Sequence, residues 1–243
     1  MKSNGKQYDK FILNGKTYDK FYLNNKIYQS LDPGLILDLP LQNNFTDYSA
    51  SGISMVAGGT SNQPTFALSG RKAGEYCAVF NGSQSIKTTT NLPINSDKIT
   101  IAFWMKTTQN MLAVISELSA DSGANNAFRV VLNPNKITIV DHVSANNDGT
   151  TANIVSTGNW VRIVVTIDRN QGISQNKIYI NGALSYVKGS GVADLAGNFV
   201  NNILYIGQRA GNSFGFNGSL MHWITCNYPF TAGEVLADYN SFL

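Results

Sequence analysis

The sequence contains few of the residues that bind metals or form disulfides: only two cysteines and two histidines occur in 243 residues. Cys77 and Cys226 are widely separated and neither belongs to a Cys-x-x-Cys pair, which predicts two buried free thiols. A disulfide between them would require that their strands be neighbours. His222 and Cys226 are four residues apart on one predicted strand, a separation of about 13 Å, which is too far to share a metal ion. The sequence therefore excludes a disulfide-stapled scaffold and gives no zinc-ligand spacing.

Long apolar runs are also missing. No stretch approaches the roughly 18 to 20 consecutive apolar residues that cross a bilayer. The first residues, Met1-Lys2-Ser3-Asn4-Gly5, lack the apolar core of a signal peptide. We therefore predict no membrane insertion and no standard export.

Positive charge is concentrated in the first thirty residues. Six lysines there stand against Asp9 and Asp19, a net charge of +4, so the rest of the chain carries −1 of the total of +3. The lysines alternate with apolar residues and do not form a polybasic tail. A near-neutral body offers no electrostatic footprint for DNA or RNA, so we predict no nucleic-acid partner.

The same first thirty residues repeat with a period of ten, beginning at Asn4, Asn14 and Asn24. Asn-Gly and Asn-Asn suit two-residue hairpin turns, so the repeat predicts a three-stranded β-meander of strands about eight residues long. A turn at Asn14-Gly15 places Phe11 opposite Tyr18, and a turn at Asn24-Asn25 places Phe21 opposite Tyr28.

So small a sheet, with apolar groups on both faces, needs a partner surface. We therefore interpret residues 1–34 as a docking or oligomerisation segment, the alternative being a solvated hairpin. Its aromatic contacts would be Tyr8, Phe11, Tyr18, Phe21, Tyr22 and Tyr28.

Residues 35–243 read as an all-β domain. About thirteen short strand-like runs alternate with turn sequences such as Asn81-Gly82 and Asn181-Gly182, and almost no segment shows a helical period. This pattern predicts a sandwich of two antiparallel sheets. One short C-terminal helix is also predicted, because Thr231 and Glu234 form a capping box before Val235, Leu236 and Tyr239.

Several of these segments resemble laminin-G-like domains of the concanavalin A-like lectin/glucanase superfamily, in that family's own order. They are Leu37-Asp38-Leu39-Pro40-Leu41, Ala78-Val79-Phe80-Asn81-Gly82, Ile101-Ala102-Phe103-Trp104-Met105, Asn159-Trp160-Val161-Arg162-Ile163, Ile178-Tyr179-Ile180-Asn181-Gly182, Tyr205-Ile206-Gly207 and the segment from Phe230 to Tyr239. The resemblance spans about residues 35–243 and implies a concanavalin A-like jelly roll. Trp104 and Trp160 would then be core residues.

The resemblance also bears on catalysis. Polysaccharide-cleaving enzymes of the superfamily share a Glu-x-Asp-x-Glu strand, which supplies the two close carboxylates of retaining hydrolysis. Here Glu75, Glu117 and Glu234 are the only glutamates and none lies in that pattern. Glu117 is a single acid leading into a loop. A Ser-His-Asp order, a Gly-x-Ser-x-Gly turn and a phosphate loop are absent as well, so we predict that the protein is not an enzyme.

Calcium binding is common among relatives, but two of their ligand positions are altered here. Gln208-Arg209-Ala210-Gly211-Asn212 replaces an acidic stretch, and Met221 stands where many relatives have Asp. We predict no cofactor, with one alternative left open: a calcium site built by Asp47, Asp121, Asp141 and Asp148.

Loops carry function on rigid sandwiches, and the loops at 121–126, 144–151, 189–198 and 209–216 are rich in amides, hydroxyls and glycine. Such groups suit sugar hydroxyls, although any solvated turn has a similar composition. The candidate glycan-binding residues are Asp121, Asn125, Asn126, Asn147, Asp148, Arg209, Asn212 and Phe214.

Two functional hypotheses follow. The decapeptide repeats resemble short modules of phage structural proteins, which implies a bacteriophage virion component, such as a head fibre, tail fibre or decoration protein. Residues 1–30 would anchor it to capsid or tail proteins as a homo-oligomer, most simply a trimer, and the lectin-like domain would face a cell-surface glycan. The alternative is a carbohydrate-binding protein at a bacterial cell surface or outside the cell.

Overall fold

The computed structural model describes residues 34–58, 62–120, 127–141, 146–150, 155–171, 176–187, 197–210 and 213–243, together with the backbone of four short strands near the N-terminus. The side chains of 141 and 146–150 are outside this description. Within the described part, no helix is long and apolar enough to cross a membrane.

The four N-terminal strands form two hairpin ladders that follow the decapeptide repeat. Strand β1 (Lys2–Ser3) pairs with β2 (Lys6–Gln7), and β3 (Phe11–Leu13) pairs with β4 (Lys16–Tyr18). Phe11 lies opposite Tyr18, which confirms the register predicted for a turn at Asn14-Gly15. The predicted turn at Asn24-Asn25 lies outside the described residues, as do Tyr8, Phe21, Tyr22 and Tyr28.

Fifteen further strands and one helix follow. In chain order they are β5 (Leu35–Leu39), β6 (Met55–Ala57), β7 (Thr65–Leu68), β8 (Tyr76–Asn81), β9 (Ile86–Thr88), β10 (Lys98–Lys106), β11 (Ala113–Ser119), β12 (Phe128–Asn133), β13 (Lys136–Asp141), β14 (Asn146–Thr150), β15 (Val161–Asp168), β16 (Asn176–Ile180), β17 (Ala183–Val187), β18 (Ile203–Ile206), β19 (Asn217–Cys226) and α1 (Ala232–Ser241).

These strands form two antiparallel sheets, as predicted. The first has eight described strands, in the order β17-β16-β15-β10-β19-β8-β7, with β5 also paired to β19. The second has seven, in the order β14-β13-β12-β11-β18-β9-β6. The expectation of a loop over residues 144–151 was wrong in part, because β14 pairs there with β13.

The core lies between the sheets and is made of the inward residues of both. Phe103 and Trp223 stack at its centre, with ring centroids 4.8 Å apart. Trp104 is also buried, as predicted, but on the opposite face of the first sheet, beside Tyr239 and Phe242. Trp160 packs against the same cluster and is only partly buried, so its expected core position was wrong in part. Cys77 and Cys226 are buried free thiols, which confirms that prediction.

Helix α1 begins at the predicted capping box and covers the outer face of the first sheet. The Thr231 hydroxyl accepts a hydrogen bond from the Glu234 amide, and the Glu234 carboxylate accepts one from the Thr231 amide. Beneath the helix, the fully buried Arg162 donates to both oxygens of Asp238, at 2.8 and 2.9 Å. It also donates to the His222 carbonyl at 2.7 Å. This ion pair ties the helix to the sheet.

A second polar cluster holds the end of the chain. Arg71 forms an ion pair with Glu75 and donates to the Phe242 carbonyl at 2.6 Å. His222 Nε2 lies 3.2 Å from Glu75 Oε1. Burial alone would raise the pKa of Glu75, but hydrogen bonds from His222, Arg71 and Ser69 lower it to about 2.

We expect this cluster to make the fold acid-sensitive. A carboxyl whose pKa is depressed on folding adds stability above its unfolded pKa, and that stability is lost as pH falls through the folded value. The urea midpoint should therefore decline between pH 4.5 and about 2. Glu75→Gln should lower the midpoint near pH 6 and flatten this acid-induced decline. If the variant and the unaltered protein show the same slope between those pH values, the assignment to Glu75 is wrong.

Candidate functional site

The outer face of the second sheet carries a cleft of about 380 Å³. Its floor is formed by Val114, Val131 and Val140, which point away from the core because side chains alternate along each strand. Val114 lies opposite Val131, and Val131 lies opposite Thr138, so the floor crosses three neighbouring strands. A partly apolar concavity on a rigid sheet is a usual place for a small ligand.

One wall of the cleft is the loop that leads from β18 to β19. Phe214 lies there, 45% exposed, with its backbone at φ 50°. The Val114 amide donates to the Phe214 carbonyl at 2.7 Å, which fixes the loop to strand β11. The Arg209 guanidinium lies 6.0 Å from the centre of the Phe214 ring. The wall therefore presents an aromatic face next to a cation.

Glycine fixes the position of this wall. A Cβ at Gly215 would lie 1.7 Å from the Gly82 carbonyl oxygen, so only glycine permits this approach of the two backbones. The next residue, Phe216, is buried and packs edge-on against Phe80. The loop is anchored directly behind Phe214.

Polar groups complete the cleft. Asn133 and Thr138 lie at one side, and Arg129 lines the floor. Arg129 Nη2 donates to Glu117 Oε1 at 3.0 Å, and the two side chains are 6% and 0% exposed. Glu117 Oε2 and Arg129 Nε are buried with no hydrogen-bond partner. Native proteins keep few such atoms, and each one calls for an explanation such as a bound water or ligand.

The cleft contains two of the predicted glycan-binding residues, Arg209 and Phe214. Two more predicted residues lie on β14. Asn147 pairs with Val140 of the floor, so the backbone of β14 lies beside the cleft. Asp148 is the extra residue of a bulge between Asn147 and Gly149. The other four predicted residues, Asp121, Asn125, Asn126 and Asn212, lie outside the described residues.

Glu117 and Arg129 are the residues that sequence reasoning missed. Glu117 was read as a single acid before a loop, but it lies inside β11, directly opposite Arg129. The available signal was a lone carboxylate in a strand of otherwise uncharged residues, with an arginine in the next strand of the same hairpin.

A second concavity, of about 340 Å³, lies beside Asp47. The Asp47 carboxylate accepts hydrogen bonds from the amides of Asp38, Ser49 and Ile53, at 2.9, 2.9 and 2.7 Å. Desolvation and the Asp47 charge raise the pKa of Asp38 to about 7. Because the oxygens of Asp47 are already used by backbone donors, this carboxylate organises its own loop.

The proposed calcium ligands are not brought together in the described residues. Asp47 is occupied as above, while Asp121 and the side chains of Asp141 and Asp148 are outside the description. No group of three or more histidine, cysteine, aspartate or glutamate side chains that could hold a metal occurs in the described ranges. The calcium alternative stays a prediction.

Comparison with known families identifies the fold. A laminin-G family model, described as the concanavalin A-like lectin/glucanases superfamily, matches residues 80–236. The chain belongs to this superfamily. The match confirms, over these residues, the resemblance seen in the sequence. A search of curated protein sequences gave no match.

Solved structures share the architecture at low sequence identity. Domain 4 of AbnA, a GH43 extracellular arabinanase from Geobacillus stearothermophilus solved in complex with arabinotriose, has a TM-score of 0.64 and 17% identity; the superposition covers 84% of this chain and 97% of that domain. The binding domain of Paraclostridial Mosquitocidal Protein 1 has a TM-score of 0.63 and 16% identity, covering 86% and 52% of the two chains.

A structure of botulinum neurotoxin type C, whose cell entry depends on two ganglioside molecules, has a TM-score of 0.62 and 15% identity, covering 87% and 52%. The chain thus spans about half the length of these toxin chains. These likenesses establish a lectin-like jelly-roll fold.

Proposed function

We propose that the protein is a non-enzymatic glycan-binding domain and that the outer cleft of the second sheet holds the sugar. The observation that carries this proposal is the pairing of a half-exposed aromatic wall, Phe214, with an apolar valine floor and polar groups at the edge. A sugar ring has apolar C–H faces that suit an aromatic ring and hydroxyls that suit Asn133, Thr138 and arginine.

Two proteins of similar fold support a glycan as the ligand. The arabinanase domain was solved with arabinotriose, and the neurotoxin uses gangliosides. The three glutamates favour a non-catalytic role, because Glu75 serves the C-terminal cluster, Glu117 pairs with Arg129, and Glu234 caps α1.

A glycan array with the purified full chain tests this proposal, run once with calcium and once with chelator. We expect saturable binding to a defined set of glycans, unchanged by chelation. Loss of binding in chelator would favour the calcium alternative over the predicted absence of a cofactor. No binding in either condition would contradict the proposed function.

The finer proposal is that this domain is displayed on a bacteriophage virion. Its support is the N-terminal repeat, whose β1–β2 and β3–β4 ladders follow the ten-residue period expected of a β-structured docking segment. Residues 1–30 would bind capsid or tail proteins and assemble the chain as a trimer. The alternative is display at a bacterial cell surface.

Two measurements distinguish display on a virion from display at a bacterial cell surface. We expect light scattering to give a trimer mass for the full chain and a folded monomer after deletion of residues 1–30. We also expect the protein in purified phage particles. A truncated chain that keeps the trimer mass, or absence from the particles, would contradict the virion proposal.

A further inference from the structure

We propose that the cleft selects a sugar with an N-acetyl group, whose methyl group lies on the valine floor and whose carbonyl oxygen accepts a hydrogen bond from Arg129. The inference rests on the proposed function, because it names the chemical class of the glycan. Apolar side chains make up most of the described lining of the cleft. They are Leu112, Val114, Val131, Val140 and Phe214.

The floor consists of two neighbouring rows of residues that cross the strands. In one row Val131 lies directly opposite Val114, and in the next Arg129 lies directly opposite Val140. Val114 and Val131 are 4% and 5% exposed, so this part of the floor is nearly closed to solvent. A sugar hydroxyl placed against valine methyl groups would lose water without gaining a hydrogen bond, which is unfavourable. A methyl substituent suits the same place.

Arg129 has unused hydrogen-bond donors beside these valines. Its Nη2 donates to Glu117 Oε1 at 3.0 Å, and its Nε has no hydrogen-bond partner within the described part of the chain. A guanidinium carries five N–H donors, so one bond to Glu117 leaves most of them unused. Arg129 also lines the cleft, where these donors can meet a ligand. Because Glu117 balances the charge of Arg129, a neutral acceptor such as an amide carbonyl fits this position.

Apolar surface continues from the floor to the mouth of the cleft. Leu112 and Phe214 both line it and are 46% and 45% exposed. The cleft therefore offers apolar contact at two levels, the Phe214 ring for a C–H face of the sugar and the valines for a substituent. An N-acetyl group joins a methyl group to a neutral acceptor in one short planar unit. A deoxy sugar supplies the methyl group but no acceptor for Arg129.

Oligosaccharides that differ in this substituent test the inference by calorimetry. Triacetylchitotriose carries N-acetyl groups where cellotriose carries hydroxyls, and N-acetyllactosamine and lactose form a second pair. We expect the N-acetylated member of at least one pair to bind about tenfold or more tightly, since a methyl-sized group in an apolar pocket changes affinity by roughly 10- to 200-fold. Both members are uncharged, so added salt should leave this preference unchanged.

Variants of the floor test the two contacts separately. Val131→Thr keeps the side-chain shape but adds a hydroxyl, and we expect it to lower affinity for the N-acetylated member about fivefold. Val187→Thr is the matched control, because Val187 is 43% exposed on β17 of the first sheet; affinity should not change. Arg129→Met with Glu117→Leu removes the donor without leaving a buried unpaired charge. This double variant should lower the same affinity about tenfold.

The outcomes distinguish the inference from the proposed function. Equal affinity within both pairs, or an N-acetyl preference unchanged by Val131→Thr, would overturn the inference and leave glycan binding intact. Array binding confined to glycans without an N-acetyl group would do the same. Absence of binding to every glycan on the array would overturn both. If the double variant fails to fold, Val131→Thr still decides the question.

Discussion

Replacing Arg162 by alanine is expected to lower the free energy of unfolding by about 3–5 kcal/mol, because it leaves a buried carboxylate without its partner. Arg162 is fully buried and Asp238 is 11% exposed, so water cannot compensate for the missing charge. The substitution also removes the hydrogen bond to the His222 carbonyl. Urea denaturation monitored by tryptophan fluorescence measures the loss.

Two controls separate the ion pair from general packing damage. Changing both partners, Arg162→Met with Asp238→Leu, should recover most of the stability, since no unpaired charge remains. Lys98→Gln breaks the more exposed pair with Asp168, and we expect a loss of less than about 1 kcal/mol. A small effect of Arg162→Ala, similar to that of Lys98→Gln, would show that the helix does not depend on this contact.

Replacing Phe214 by alanine is expected to weaken glycan binding by about 10- to 100-fold, because the aromatic wall supplies the largest apolar contact area in the cleft. The free energy of unfolding should change by less than about 1 kcal/mol, since Phe214 is 45% exposed. Titration of the array's best glycan, together with a urea curve for the same variant, measures both quantities.

Leu236→Ala is the matched control for Phe214→Ala. Leu236 is 50% exposed on α1, by the other sheet, so its removal changes an exposed apolar side chain away from the cleft. We expect unchanged glycan affinity. If Phe214→Ala binds as tightly as the Leu236 control, the cleft is not where the sugar lies.

Local rules predicted the parts of the fold that depend on nearby residues. The Asn-Gly dipeptide of the repeat predicted the pairing of Phe11 with Tyr18, and the capping box predicted the start of α1. Strand β14 was missed because its sequence, Asn146-Asn147-Asp148-Gly149-Thr150, has poor β propensity, and pairing with β13 overrides that preference.

The sequence predicted only part of the cleft. Phe214 and Arg209 stood out as an aromatic and a cation in a glycine-rich loop. The sequence does not mark Val114, Val131 and Val140 as cleft residues, because apolar strands do not reveal which face points to the other sheet. The Glu117–Arg129 pair depends on a cross-strand register that includes a bulge between Val114 and Ser116, and no spacing rule gives that register.

The most direct test of the central claim is to map the bound sugar onto the molecule by amide chemical-shift perturbation, using a glycan selected on the array. The account predicts that the shifts concentrate at Val114, Arg129, Val131 and Phe214 and saturate at the binding affinity. Saturable shifts confined to the Asp47 loop or to α1, with the cleft amides unmoved, would contradict it.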